Sequence, residues 1–200
     1  MLRLLTQQLP DNLRRTIRMR WRRLATKSWT LSRWHYHWHG HQLLGRPSEP
    51  VWYFAYGSNM HHSAFRERRR MKPTEWRVGR LKGYRLRFNL EGRPIGKAAP
   101  ANICPEGDCE LWGVLYRITR RELLRLDSTE GVPGRNYRHV LVPVEDADGN
   151  VVTAVTYMAK GKETDGVPSL RYISLLRDGA RAHGLPDTWI QFLESVRHGE

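Results

Sequence analysis

The tripeptide Gly57-Ser58-Asn59 is the part of this sequence whose residue types offer the clearest place for chemistry. It follows the apolar, aromatic run 52–56, which predicts a short buried strand, and it precedes a predicted helix from Met60 to Arg70. Backbone N–H groups exposed at such a turn suit a carboxylate or a developing oxyanion. An ordinary strand–turn–helix connection has the same pattern, so the tripeptide alone leaves both interpretations open.

A second candidate is Glu130, which stands immediately before Gly131. It follows a predicted helix with Thr119 as the N-cap and apolar positions within 121–126. The C-terminal end of a helix is an unfavourable place for a carboxylate, which slightly favours a functional role over an ordinary surface residue. We expect the neighbouring Asp127 to hold the local backbone instead.

Together the two segments resemble the γ-glutamylcyclotransferase family. The resemblance rests on Tyr-Gly-Ser-Asn at 56–59 and Leu-Asp-x-x-Glu-Gly at 126–131, in that order. It extends from residue 51 to about 196, with further matches at 83–88, 101–103, 111–116, 136–137, 168–172, 179–180 and 184–186.

This resemblance implies an enzyme that releases 5-oxoproline from γ-glutamyl compounds, with neither a metal nor a cofactor. The α-amine of the substrate attacks its own γ-carbonyl and closes a lactam, so the protein supplies proximity and one acid–base group. By position, the resemblance gives the catalytic acid–base role to Glu130. The residues that match the substrate-binding positions are Tyr56, Gly57, Ser58, Asn59, Tyr137 and Tyr172.

The leaving group stays open at this point. Asn59 makes the motif similar to the branch that acts on γ-glutamyl amino acids, because the glutathione-specific branch has Tyr-Gly-Ser-Leu and the γ-glutamylamine branch has Tyr-Gly-Thr-Leu. Related proteins remove γ-glutamyl groups in natural-product pathways, and Arg85 and Arg87 suit an acidic leaving group or a carrier protein. A non-catalytic binding module is the alternative from another class, and the intact Glu130 weighs against it.

The order of the predicted elements indicates an α+β fold, because strands come first and helices mainly last. The resemblance refines this to a small mixed β-barrel flanked by helices in a domain at 51–200, after a basic helical N-terminal extension at 1–50. Besides the elements already named, strands are predicted at 76–81, 84–88, 97–103, 111–118, 137–144 and 151–158, and helices at 169–182 and 188–196. Hairpin turns are predicted at 105–108 and 146–150, and Asp187 is the predicted cap of the last helix.

The positive charge is concentrated in the N-terminal extension. Residues 1–50 contain ten Lys/Arg and two Asp/Glu, so they carry +8 of the total net charge of +14. A helix predicted after Asp11 has Leu13, Ile17, Trp21 and Leu24 on one face and arginines over much of the rest. We therefore expect residues 11–38 to contact an anionic membrane surface or to dock on this domain or a partner subunit, with nucleic acid less favoured.

The remaining signals are weaker. Alternating histidines at 35–41 have no acidic or cysteine ligand among them, so no structural or catalytic metal site is expected there. Cys104 and Cys109 are expected to be free thiols in a reducing cytosol. Neither an apolar span nor a secretory signal is recognisable, which predicts a cytoplasmic protein, peripheral to the inner membrane face if the extension binds lipid.

Overall fold

The computed structural model describes residues 46–92, 98–130 and 137–200. The N-terminal segment 11–38 and the histidines at 35–41 lie outside the described residues. The strands are β1 Pro50–Ala55, β2 Glu75–Arg87, β3 Asn102–Thr119, β4 Arg138–Asp146 and β5 Val151–Met158. The α-helices are α1 Arg120–Thr129, α2 Leu170–Ala182 and α3 Asp187–Ser195.

The described strands close into a barrel in the order β1-β3-β2-β4-β5. Neighbouring strands are antiparallel except β1 and β5, which pair in parallel where Tyr53 meets Val155. The predicted α+β class with a mixed β-barrel is therefore confirmed. Its interior is closely packed, since a Cβ added to Gly79 would lie 2.6 Å from Val144 Cγ1.

The central strands differ from the prediction. The predicted strands 76–81 and 84–88 are two halves of β2, joined at Gly83, whose φ of 79° suits a glycine. The predicted hairpin turn at 105–108 is wrong, because β3 continues without reversing: Ile103 pairs with Leu86, and Leu111 with Leu81. The turn-forming residues instead form a bulge-like irregularity in the pairing of β3 with β2, opposite Gly83. Turn composition alone does not distinguish a bulge from a hairpin.

The segment after β1 is helical but is not the predicted α-helix from Met60 to Arg70. A 3₁₀ turn, Ser58–Met60, is followed by a π-helical turn, Ser63–Arg68. The backbone N–H of Arg69 closes the π-turn by bonding the carbonyl of Ala64. Such widened turns often occur at functional sites, since they re-aim the side chains that follow.

The helix starts follow the local sequence. Thr119 is the N-cap of α1, as predicted, and it forms a capping box with Glu122. The Ser169 side chain caps α2 by accepting from the N–H of Tyr172. The cap of α3 is one residue earlier than predicted, at Pro186, because Asp187 already belongs to the first turn. An acidic residue is favourable there as well, since it faces the positive end of the helix.

Residues before β1 contact the body of the domain. The carbonyls of Glu49 and Pro47 accept hydrogen bonds from the N–H groups of Arg120 and Arg121, which are the first of α1. The Glu49 carboxylate also pairs with the Arg120 guanidinium at 3.0 Å. This segment thus satisfies donors that the first turn of a helix leaves unpaired.

Two observations bear on the remaining expectations. Cys104 and Cys109 are both free. In the part of the chain that the structure describes, every helix is too short or too polar to cross a membrane.

Candidate active site

A small pocket opens where β1 runs into the Gly57-Ser58-Asn59 turn. It is lined by Tyr53, Tyr56, Gly57, Ser58, Asn59, Glu130, Tyr137, Tyr157 and Tyr172. The structure therefore brings all seven residues predicted for the site into one pocket and adds two tyrosines to them.

Glu130 is held at the end of α1, where its N–H bonds the carbonyl of Leu126. Its side chain is 15% exposed, and Oε1 accepts three hydrogen bonds. Asn59 Nδ2 donates over 3.0 Å, and Arg69 donates from Nε over 3.1 Å and from Nη2 over 2.6 Å. Glu130 Oε2 accepts no hydrogen bond from any described residue, so one oxygen is fixed and the other remains available to a ligand.

Asn59 connects the turn to the carboxylate. Its side-chain amide donates to Glu130 and, over 2.7 Å, to the phenol oxygen of Tyr53. Both amide hydrogens are then used, and within the described structure the buried Oδ1 has no partner. A buried acceptor without a partner costs about 1–3 kcal/mol, so Asn59 is not the residue that stability alone would favour here.

Two tyrosines meet the backbone of Ala101 from opposite directions. Tyr137 Oη donates to the Ala101 carbonyl over 2.7 Å, whereas Tyr172 Oη accepts from the Ala101 N–H over 3.0 Å. The hydroxyl hydrogen of Tyr172 bonds to no described residue. Tyr172 can therefore donate to a ligand, while Tyr137 has lone pairs left to accept from one.

Burial keeps the phenols of the pocket neutral. It raises the pKa of Tyr172 to about 12, and it raises the pKa values of Tyr53, Tyr56, Tyr137 and Tyr157 further. These side chains act as hydrogen-bonding groups rather than as bases near neutral pH. Among the described lining residues, Glu130 is the one carboxylate, so acid–base chemistry in this pocket falls to it.

The turn itself is held by close packing. Tyr56 Oη donates to the carbonyl of Tyr157 over 2.6 Å, which ties the end of β1 to β5. On the other side, α2 approaches so closely that a Cβ on Gly179 would lie 2.8 Å from the carbonyl carbon of Met60. Only a glycine at that helix position leaves room for the 3₁₀ turn that carries Ser58 and Asn59.

Known proteins are similar to this chain over the same region. An AIG2-like family model matches residues 110–193. The γ-glutamylcyclotransferase of Bos taurus is 31% identical over 163 residues, which cover 77% of this chain and 82% of the bovine protein. The chain belongs to the γ-glutamylcyclotransferase family.

Other γ-glutamylcyclotransferases extend this comparison. γ-Glutamyl cyclotransferase aclK of Aspergillus oryzae is 32% identical over 171 residues, covering 74% of this chain. The chain spans 60% of the length of aclK. A solved γ-glutamyl cyclotransferase has the same fold, with a TM-score of 0.67 and 26% identity over 76% of this chain and 90% of the other.

The prediction for Asp127 within the γ-glutamylcyclotransferase motif is wrong. Asp127 does not hold the local backbone; its buried Oδ1 accepts from Tyr157 Oη over 2.6 Å and pairs with His139 Nε2. Burial raises the pKa of this carboxyl above its usual value, although its contacts with His139 and Tyr157 favour the charged form. Asp127 therefore orients Tyr157 on the pocket wall.

The sequence analysis missed Arg69, Tyr53 and Tyr157. Arginines at 66, 68, 69 and 70 are the pattern of a solvated helix face, yet the Arg69 side chain is only 14% exposed. Nothing in a run of similar arginines marks the one that turns inward. Tyr53 and Tyr157 carried a weak signal, since a phenol inside a buried strand needs a hydrogen-bond partner.

The cationic residues predicted to suit an acidic leaving group have partners of their own. Arg85 Nη1 lies 2.9 Å from Glu106 Oε1, and Arg87 Nε lies 2.8 Å from Asp165 Oδ1. These pairs offset the positive charge that the sequence offers to an acidic substrate.

Proposed function

We propose that this protein is an active γ-glutamylcyclotransferase that releases 5-oxoproline and an amine or amino acid, with residues 51–200 as its catalytic domain. The observation that carries the proposal is the carboxylate of Glu130. It sits in a pocket of neutral tyrosines beside the Gly57-Ser58-Asn59 turn, with Oε2 unoccupied by any described side chain.

The reaction needs one proton acceptor that later becomes a proton donor. Glu130 takes a proton from the substrate's α-ammonium, and the freed amine attacks the γ-carbonyl carbon to form the lactam C–N bond. The bond from the γ-carbon to the leaving nitrogen then breaks as Glu130 returns the proton to that nitrogen. The second proton that the attacking nitrogen must lose passes to the released amine through the same carboxylate. The carboxylate ends in its starting state, and no electrons are exchanged with a cofactor.

The hydrogen-bonding capacities of the pocket fit this substrate. An ammonium needs acceptors, which Glu130 Oε2 and the lone pairs of Tyr137 supply. The γ-carbonyl oxygen gains negative charge during attack and needs donors, which the hydroxyl of Tyr172 and the backbone of the turn supply. Tyr56, Gly57, Ser58 and Asn59 complete the wall against the γ-glutamyl group.

We propose γ-glutamyl amino acids as the substrate class. Asparagine at position 59 is the residue by which the motif resembles the branch that acts on γ-glutamyl amino acids. Its Nδ2 donates to the carboxylate of Glu130, the proposed base, over 3.0 Å. A leucine at this position, as in the other two branches, would remove the contact. Position 59 therefore affects the base as well as the shape of the pocket.

The test is incubation of the purified protein with γ-glutamyl amino acids, γ-glutamylamines and glutathione. The control is a γ-glutamyl amino acid whose α-amine is acetylated. Formation of 5-oxoproline from γ-glutamyl amino acids alone is the expected result. The acetylated control should give none, since its α-nitrogen is no longer nucleophilic. Lack of 5-oxoproline from every substrate would favour a non-catalytic binding module.

For the N-terminal extension, we propose contact of residues 11–38 with an anionic membrane surface or with a partner subunit. The basis is the +8 net charge of residues 1–50 together with the apolar face predicted there. Co-sedimentation with anionic vesicles at low and high salt tests the first partner, and the oligomeric state with and without residues 1–45 tests the second. Activity on a small substrate should change at most a few fold after this truncation.

A further inference from the structure

Arg69 contacts the proposed base without lining the pocket. Its guanidinium donates from Nε and Nη2 to the same oxygen, Glu130 Oε1, over 3.1 Å and 2.6 Å. Both side chains are about equally buried, at 14% and 15% exposed. Burial alone would lower the pKa of the Arg69 guanidinium, but the carboxylate of Glu130 raises it above its ordinary value.

This contact makes the two oxygens of Glu130 different. Oε1 receives three donors, two from Arg69 and one from Asn59, whereas Oε2 receives none from the described residues. A proton on Oε1 would have to displace at least one of those hydrogen bonds. A proton on Oε2 displaces no hydrogen bond from a described residue, so proton transfer is directed to that oxygen.

We propose that Arg69 is a positioning residue for the proposed cyclotransferase reaction: it holds Glu130 by Oε1 and so presents Oε2 to the substrate. This inference rests on the proposed function. The two-point contact also fixes the rotation of the carboxylate, which a single donor does not.

The alternative role for Arg69 is direct binding of a carboxylate of the substrate. Two features weigh against it. The donor edge formed by Nε and Nη2 is already occupied by Glu130, and the described residues lining the pocket include Glu130, Asn59 and Tyr53 but not Arg69. The arginine therefore acts through Glu130 rather than on the ligand.

The variants that test this are Arg69→Ala and Arg69→Lys, with Arg68→Ala as the matched control, since Arg68 is an exposed neighbour with the same charge. Misplacing a catalytic group can cost up to about a hundredfold in rate, so Arg69→Ala should lower kcat by about tenfold to a hundredfold and change KM by no more than a few fold. Lysine restores the charge but only one point of contact, so Arg69→Lys should recover part of kcat. Arg68→Ala should behave as the wild type.

A second measurement separates positioning from substrate binding and from a structural role. In a Glu130→Gln background, calorimetric binding of the γ-glutamyl substrate should be almost unchanged by adding Arg69→Ala. Weakening of that binding by tenfold or more would show that Arg69 touches the substrate and would overturn the proposal. Equal losses of kcat in Arg69→Ala and Arg69→Lys, accompanied by equal drops in melting temperature, would also overturn it.

The two proposals fail differently. A wild-type protein that forms no 5-oxoproline from any γ-glutamyl compound contradicts the proposed function. A wild-type protein that turns over while Arg69→Ala keeps more than half of its kcat contradicts the role of Arg69 alone.

Discussion

Asn59 and Glu130 are 71 positions apart in the sequence, yet Asn59 Nδ2 donates a hydrogen bond of 3.0 Å to Glu130 Oε1. One residue belongs to the turn after β1, and the other caps the end of α1. The contact joins the proposed substrate-binding loop to the proposed base. A change in either element is therefore transmitted to the proposed base.

The first prediction follows from this contact. Asn59→Leu should lower kcat by about tenfold or more, because the carboxylate loses one of the donors that orient it. The free energy of unfolding should change little, because leucine removes the unpaired buried Asn59 Oδ1, and this gain offsets the loss of the donor to the buried Tyr53 Oη. Steady-state kinetics and a denaturant titration measure the two effects. A large loss of stability with unchanged kcat would contradict this assignment.

Glu130→Gln should abolish nearly all turnover and leave substrate binding largely intact. Glutamine keeps the shape of the side chain and still accepts from Arg69, but it cannot carry the proton, so a loss of about a hundredfold or more is expected. Glu67→Gln is the control, because Glu67 has the same charge and its side chain is 67% exposed. Turnover above about a tenth of the wild-type rate would assign the base to another residue.

Gly179→Ala should impair both stability and activity. Alanine in a helix is usually favourable by about 1 kcal/mol relative to glycine. Here the new Cβ would lie 2.8 Å from the backbone of Met60, so overpacking should outweigh that gain and cost about 1–3 kcal/mol.

The displacement caused by Gly179→Ala falls on the 3₁₀ turn, so kcat/KM should fall as well. Asp178→Ala, on the exposed side of the same helix, is the control and should change neither quantity much. A variant that is more stable than the wild type would show that the helix and the turn are not in the tight contact described.

The hairpin between β4 and β5 predicts a pH dependence of stability. Burial opposes ionisation of Asp146, but Arg77 and the backbone of Asn150 and Asp148 donate to it and lower its pKa overall. The side chain is 1% exposed, and Arg77 Nη1 lies 2.8 Å from Oδ2. Because the folded state holds this proton less tightly than the unfolded state, the contribution to stability is present above about pH 4 and lost as the pH falls through the folded pKa.

Asp146→Asn should therefore be less stable than the wild type at neutral pH, and the difference should shrink below about pH 4. Thermal or chemical unfolding at several pH values measures it. Asp148→Asn is the control, because Asp148 is exposed in the same turn. A difference between Asp146→Asn and the wild type that stays constant down to about pH 3 would show that charge is not the cause.

Several features of this protein could be read from short stretches of sequence. The Thr119 cap, the start of the helix at residue 169 and the turn at Asp146 could be predicted because each depends on residues within four positions of one another. The seven predicted site residues came from two short motifs and their resemblance to a family, and all of them line one pocket.

What the tertiary structure decided depends on contacts between distant segments. Arg69 turns inward because it pairs with Glu130, which is 61 positions later in the sequence. Asp127 can be buried because Tyr157, 30 positions later, donates a hydrogen bond to it. Likewise, β3 is one continuous strand because β2 pairs with both its first and its second half. A local sequence pattern indicates helix periodicity and turns. The partner of a buried charge comes from a distant segment, and the two meet only when the barrel closes.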